Sequence, residues 1–345
     1  MNKTEKPTLR FSKSGRFRIL MVSDFHAGKS YDPKLKAGLE ALLEECKPDL
    51  VVVGGDQCLD RQSRDAVRDY MADIMSPVIK RRLPWAAIIG NHDREVGIDV
   101  EEELYAYAGI DGCMNTEGPK DVSGNGNFYI PVMGRDGTPA YILWMIDDSL
   151  YQRDLVKKWN GTEKNKLLLP EKFACGSSDG TPQPDQVMWY YNESSVIEKK
   201  YGKKVPGAMF MHVSLPEFLE IVRNPEECEA VGSVREAPGC AEINGGMFYA
   251  CLQRGDVKGI FFGHDHLIDL QGVYCGVIMA HDAALGYNMS AHDDLRGGRV
   301  IDIFENGDIE TRAVKLWEIM GKKCMRDPEY MEGGCAYHIR KLWKD

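Results

Sequence analysis

The apolar positions of this chain fall into short continuous runs, each closed by polar residues, with helical stripes between them. "RILMVSDFHAG" (residues 18–28) is an apolar strand that ends in Asp24 and His26. Asp32 before Pro33 supplies a helix cap and a first-turn proline. Leu35, Leu39, Leu42, Leu43 and Cys46 then recur at helical spacing. After Pro48 comes "LVVVGGD", whose unbroken apolar character predicts a strand buried on both faces. Strand, helix and strand make a βαβ unit with a carboxylate at each strand end.

The pattern repeats. Ser63 caps a predicted helix whose Val67, Tyr70, Met71, Ile74 and Val78 share a face, with Pro77 as a kink. "WAAIIGNHD", "AYILWMIDD", "GAMFMH" and "GIFFGH" are further short apolar strands ending in polar residues. "PDQVMWYYNESSVIEKKYG" reads as a helix with Val187, Tyr190, Ser194 and Ile197 on one stripe, and Trp189, Tyr190 and Tyr191 as core packing. "GRVIDIF" and "IETRAVKL" flank "ENGD", where Asn306-Gly307 signals a hairpin. Segments 94–139 and 148–184 are rich in Gly, Pro, Asn and Asp and read as insertions over one sheet edge. The tail 320–345 carries little pattern and reads as an extension to a domain spanning 1–319.

Six of the apolar strands end in Asp24-x-His26, Gly55-Asp56, Gly90-Asn91-His92-Asp93, Asp147, His212 and Gly263-His264-Asp265-His266. Five of the eight histidines lie at these ends, a concentration that random scatter would rarely give. In open α/β sheets, sites form outside the carboxyl ends of the strands. Carboxylate, imidazole and amide oxygen together suit manganese, iron or zinc, and there are donors enough for two ions.

Composition narrows the picture. At 345 residues, 43% hydrophobic and 28% charged, the chain is an ordinary globular one. A net charge of -10 argues against an extended nucleic-acid groove, yet leaves small phosphorylated substrates open, because a bound cation outweighs the global charge locally. The ten cysteines show no short paired spacing and read as reduced, structural thiols. No segment reaches the roughly 20 apolar residues of a membrane span, and the basic N-terminus lacks the apolar stretch of a signal peptide, so a cytoplasmic protein is expected. Oligomeric state is not legible.

The ordered motifs resemble those of the calcineurin-like metallophosphoesterase superfamily: D-x-H, G-D, G-N-H-[DE], a lone His, then G-H-x-H. Here they read "SDFH", "GGD", "GNHD", "FMHVSLPEF" and "GHDH". "INGGMFYACLQRGDVKGIFFGHDH" and "LRGGRVIDIF" resemble the branch related to purple acid phosphatases. The resemblance implies a four-layer α/β/β/α sandwich of two mixed sheets with a dimetal site at the carboxyl ends of the strands. Carried over by motif, one metal takes Asp24, His26 and His266, the other takes Asn91, His212 and His264, and Asp56 bridges them. It further implies hydrolysis of phosphate esters by a hydroxide held between two divalent or trivalent ions. Unliganded His92 then faces the leaving group.

Two departures stand out. The family pairs that histidine with an aspartate of a G-D-x-x-D pattern, whereas "GDQCLD" sets Asp60 one residue later; Asp93 or a backbone carbonyl are the other candidates to orient the ring. The metal-bound tyrosine of purple enzymes is replaced by Leu59, so the site should not be purple. Asp265 reads as a partner behind the ligands or a cap, Asp147 as a neighbour of the site or a turn, and Arg94 as an exposed arginine or a phosphate contact. His281, Tyr287 and Asn288 are candidates for pocket walls or for the core. His292 and His338 read as surface histidines. The expected reaction is phosphomonoester hydrolysis ahead of diester hydrolysis, with a catalytically silent metal-binding module as the rival from another class.

Overall fold

The computed structural model describes residues 6–151 and 180–325. The continuous apolar runs become the inner strands of two mixed sheets. In the first, β1 (Arg16–Val22), β2 (Leu50–Gly54) and β3 (Trp85–Ile88) run parallel, and β10 (Gly297–Phe304) and β11 (Ile309–Lys315) complete it in the order β11-β10-β1-β2-β3. In the second, β4 (Phe128–Met133), β5 (Pro139–Met145), β6 (Gly207–Phe210), β7 (Val257–Phe262), β8 (Gln271–Tyr274) and β9 (Val277–His281) lie in the order β4-β5-β6-β7-β9-β8.

Period-two alternation explains why these strands look unbroken in sequence. In β1, Ile19 and Met21 join the layer between the sheets while Leu20 and Val22 pack under helices; in β2, Leu50 and Val52 face one way and Val51 and Val53 the other. In β7, Phe261 lies between the sheets and Ile260 and Phe262 face the outer helices. Both faces are covered, so no polar position interrupts the run. The outer layer on the first sheet is α1 (Pro33–Cys46), α2 (Arg64–Ile74), α3 (Ser76–Lys80) and α4 (Val100–Ala108). On the second it is α5 (Pro184–Tyr201), α6 (Phe218–Arg223) and α7 (Met247–Arg254), and α8 (Leu316–Met320) returns to α1. The result is the expected four-layer α/β/β/α sandwich.

Local chemistry sets the element ends where the pattern placed them. Asp32 accepts from Lys34 N at the start of α1, and Ser63 accepts from Ala66 N at the start of α2. The kink expected at Pro77 is a full break: α2 stops at Ile74, and α3 restarts with Pro77 in its first turn, where a missing N–H costs nothing. The stripe of α5 holds, with Tyr190, Ser194 and Ile197 buried and Trp189 and Tyr191 packed against the same core. Segment 94–139 is more than an insertion, since it supplies α4 and the edge strand β4. Pro131 hid that strand; proline is tolerated there because β4 is the edge of its sheet, where the 9–11 segment bridges its outer side at Met133 and asks nothing of Pro131. Most of segment 148–184 and the tail beyond 325, with His338, lie outside the described residues. Among the described residues no helix is long and apolar enough to cross a membrane.

One buried cation ties the sheets together. Arg299 of β10 is fully buried and donates across the interface to His281 O (2.8 Å), Asp269 O (2.8 Å) and Gln271 Oε1 (2.7 Å). Burial pulls its pKa down to about 10, against the charges of Asp282 and Asp269, so it stays charged at neutral pH. Arg299→Leu removes the cation and leaves these acceptors buried. The variant should lose about 3–5 kcal/mol of unfolding free energy in urea denaturation; a loss below about 1 kcal/mol would show that the acceptors find other donors.

Candidate metal centre

All seven residues read as metal donors converge at one end of the sandwich. Asp24, His26, Asp56 and Asn91 follow β1, β2 and β3 of the first sheet; His212, His264 and His266 follow β6 and β7 of the second. The strand ends are held in step beyond the sheet by Asp24 N donating to Gly55 O and His26 N to Asp56 O, both at 3.0 Å. Across the sheets, His264 N donates to Asp24 Oδ2 (3.1 Å).

The chain bends sharply to aim these side chains. Asp24, His26, Asp56 and His264 all adopt positive φ, at 55°, 42°, 53° and 72°, a region that side-chain-bearing residues seldom occupy. The motif glycines make room. A methyl group at Gly90 would sit 2.1 Å from Asp56 Oδ1, and one at Gly55 would sit 2.2 Å from His212 Nδ1.

Two groups of donors result. Asp24, His26 and His266 offer ligand atoms within 4.8 Å of one another, and so do Asp56, His212 and His264. Asp56 Oδ2 stands between them, 3.4 Å from His26 Nε2 and 3.3 Å from His212 Nε2. Asp24 Oδ1, His26 Nε2, Asp56 Oδ2, Asn91 Oδ1 and His212 Nε2 are buried without a hydrogen-bond partner. An unsatisfied buried polar atom costs about 1–3 kcal/mol, and those of Asp24, His26, Asp56 and His212, each within 3.9 Å of the next, are hard to sustain unless cations share them. The donor set therefore fits metal ions.

The far nitrogens of the rings are fixed from behind. His212 Nδ1 lies 2.8 Å from Gly54 O and His266 Nδ1 lies 2.9 Å from Ser290 O, each leaving Nε2 forward. Cys58 Sγ lies 3.4 Å from His26 Nδ1. Asp93 does not face the open side. It is buried beneath Asp56 and accepts from the backbone N–H groups of Asp56, Cys58 and Gly90. Burial and the Asp56 charge push its carboxyl up to about 7. Asp148, unremarked in the sequence, holds the His212 and Val213 N–H groups in the same way.

Several expectations change here. Asp60 accepts only from Gln62 among side chains and does not touch His92, because Leu59 takes the inward position of that turn and is buried. Instead His92 Nδ1 meets Glu95 Oε2 at 2.6 Å. Arg94 is not an exposed arginine. It turns inward to Asp147 and Ser149 Oγ, so Asp147 is a structural neighbour of the site. Asp265 accepts from Gly239 N and faces His281 Nε2 at 3.4 Å, behind the ligands. His281 is fully buried against Phe218 and Phe262, and burial with the His264 and Arg299 charges brings it down to about 3. Tyr287 is buried and donates to Cys324 O, while Asn288 donates to Ala27 O and Ser30 O. His281 and Tyr287 thus belong to the core, while Asn288 is exposed. His292 is half-buried beside Arg235.

The model of the family described as calcineurin-like phosphoesterase matches residues 17–267. The chain belongs to this family. An Arabidopsis thaliana relative, "Probable inactive purple acid phosphatase 14", is 27% identical over 309 residues, covering 81% of this chain and 73% of its own. "Phosphatase DCR2" of Saccharomyces cerevisiae is 24% identical over 297 residues, 77% of this chain and 46% of the yeast protein. Among solved structures, a dimetal phosphatase from Danio rerio aligns with a TM-score of 0.54 at 13% identity over 87% of this chain and 96% of that one. At that identity the likeness is one of fold. The relatives place this member of the calcineurin-like family beside purple acid phosphatase-like proteins.

Protons compete for the donor nitrogens. Burial alone would lower His212 and His266, but Asp56 and Asp24 outweigh it and raise both above the ordinary histidine range. Burial also pushes the two carboxyls up, but the histidines outweigh it and hold both below their usual range, so they stay ionised as the rings titrate. A cation must then displace ring protons. Calorimetric titration of chelated protein with manganese should show weaker binding at about pH 6 than at about pH 8, with proton release visible as a buffer-dependent enthalpy. Equal affinity at both values would mean that the imidazoles are not the donors.

Proposed function

We propose that this chain is a metal-dependent phosphoesterase that hydrolyses small phosphate esters, monoesters ahead of diesters, at a binuclear centre. The observation that carries the reading is the set of buried, unpartnered lone pairs turned toward one another from both sheets. On this reading Asp24, His26 and His266 hold one ion, Asn91, His212 and His264 the other, and Asp56 both. Manganese, iron and zinc all suit such nitrogen and oxygen donors. Bound cations would supply the electrophilic chemistry, drawing charge from the phosphoryl oxygens and lowering the pKa of a water to the physiological range.

The chain's own residues do the rest. The carboxylates of Asp24 and Asp56 would offset the repulsion between cations bound there. Asp56 also accepts from His92 N through Oδ1 at 2.9 Å, which locks the turn carrying His92 to the same carboxylate. The His92 side chain is 46% exposed, and its ring centroid lies 5.6 Å from that of His26. It is therefore beside the donor cluster and open to substrate, the position for a proton donor to a departing oxygen.

The word "inactive" in the name of the Arabidopsis relative marks the rival reading, a silent metal-binding module. The test is direct. Chelation should abolish hydrolysis in a panel of aryl phosphate, bis-aryl phosphate and nucleotides, and manganese, iron or zinc should restore it. Asp56→Asn should weaken binding of both ions together. Absence of turnover with every metal and substrate would favour the silent module; normal turnover and full metal content in Asp56→Asn would remove the shared-ligand assignment.

His92→Ala should keep its metals while turnover falls about 10²–10⁴-fold. The loss should be largest for alkyl phosphates, whose leaving groups need a proton, and smaller for nitrophenyl phosphate. Equal losses for both would make His92 an electrostatic clamp and not an acid.

A further inference from the structure

His92 and Asn91 are neighbours in sequence, yet both depend on one carboxylate that no motif of the family predicts. Residues His92–Arg94 form a single 3-10 turn, and Glu95 N closes it on His92 O. In that geometry side chains three apart eclipse, so Glu95 is brought alongside His92. Its Oε2 meets His92 Nδ1 at 2.6 Å, and its Oε1 accepts from the Tyr151 hydroxyl at 2.7 Å. Tyr151 in turn accepts from Asn91 Nδ2 at 3.0 Å. A primary amide carries its donors and its acceptor on opposite prongs. With Nδ2 committed to Tyr151, Asn91 Oδ1 must face the other way, and there it is buried with no hydrogen-bond partner.

We propose that Glu95 is the positioning residue of this site, fixing the ring of His92 directly and the oxygen-forward amide of Asn91 through Tyr151. It takes the place that an aspartate of the G-D-x-x-D pattern fills elsewhere in the family and that Asp60 does not reach. The role given to His92 rests on the phosphoesterase reading above; the hydrogen-bonded geometry does not. With Nδ1–H donated to Glu95, only Nε2 is presented to substrate. As the P–O bond breaks, its electron pair goes to the departing oxygen, which takes the Nε2 proton and leaves a neutral ring still bonded to Glu95. The attacking water brings two protons: one stays on the phosphate product and the other restores Nε2–H.

Two readouts on the full chain test this, one of them independent of activity. Nitrogen-15 spectra of the histidine rings in chelated protein at mildly alkaline pH should show His92 as the Nδ1–H tautomer. Glu95→Ala should convert it toward Nε2–H, while Tyr151→Phe leaves it unchanged. A wild-type ring already in the Nε2–H form, or one indifferent to Glu95→Ala, overturns the proposal. For the Asn91 arm, Tyr151→Phe should weaken manganese binding about 10-fold by calorimetry; unchanged affinity removes that arm. In turnover, Glu95→Ala should slow alkyl phosphates by about 10–100-fold and nitrophenyl phosphate less. Glu95→Gln, which keeps the shape and loses the charge, should fall between. With manganese saturating, so that the Asn91 arm no longer limits turnover, Glu95 acts through His92 alone: adding Glu95→Ala to His92→Ala should cost little more, and fully additive losses overturn it. If the wild-type protein hydrolyses no phosphate ester, the phosphoesterase reading falls, and the ring spectra alone decide the positioning role.

Discussion

Asp56 has to satisfy neighbours from both sheets with a single carboxylate. Oδ1 accepts from the His92 backbone, while Oδ2 sits between His26 from the first sheet and His212 from the second. Taking that charge out of water is costly unless opposite charge surrounds it, and much of the local structure can be understood as meeting that demand. The left-handed turn at Asp56 aims the group, Asp93 clamps the turn from beneath through three backbone N–H groups, and Gly90 leaves the space into which the carboxylate projects.

The strands and their endings were legible because burial on both faces leaves a signal that competing influences seldom imitate. Where a strand such as β2 runs apolar for five residues and stops at Gly-Asp, desolvation has dictated the run, and only use can explain the stop. The helix starts at Asp32 and Ser63 were legible for the same reason: a side chain satisfying a backbone N–H is a local event. What sequence could not show was geometry that depends on the hand or tightness of a turn. Nothing in "GNHDREV" says that the chain coils as a 3-10 turn and not as an α-helix, and this choice decides whether Glu95 or another residue meets His92. Arg94 was misread likewise, since its partner Asp147 lies 53 residues away.

Proline and buried charge account for the other gaps. Pro131 argues against a strand on average, but an edge strand needs hydrogen bonds on one side only. Arg299 sits inside "GRVIDIF", where a charge in an apolar strand would ordinarily point to solvent. Here the sheets' common interior supplies two backbone carbonyls and a glutamine oxygen, so the same residue becomes a tie between layers.

The division of donors between two sheets has a consequence for the life of the protein in a cell. An unfolded chain scatters these seven side chains across more than 240 positions of sequence, so any ion they hold together is held by the folded form alone. Each such ion adds RT ln(1 + [L]/Kd) to the free energy of unfolding, about 2.7 kcal/mol at a hundredfold excess over Kd. Scarcity of metal would then leave the fold less stable and more open to proteases.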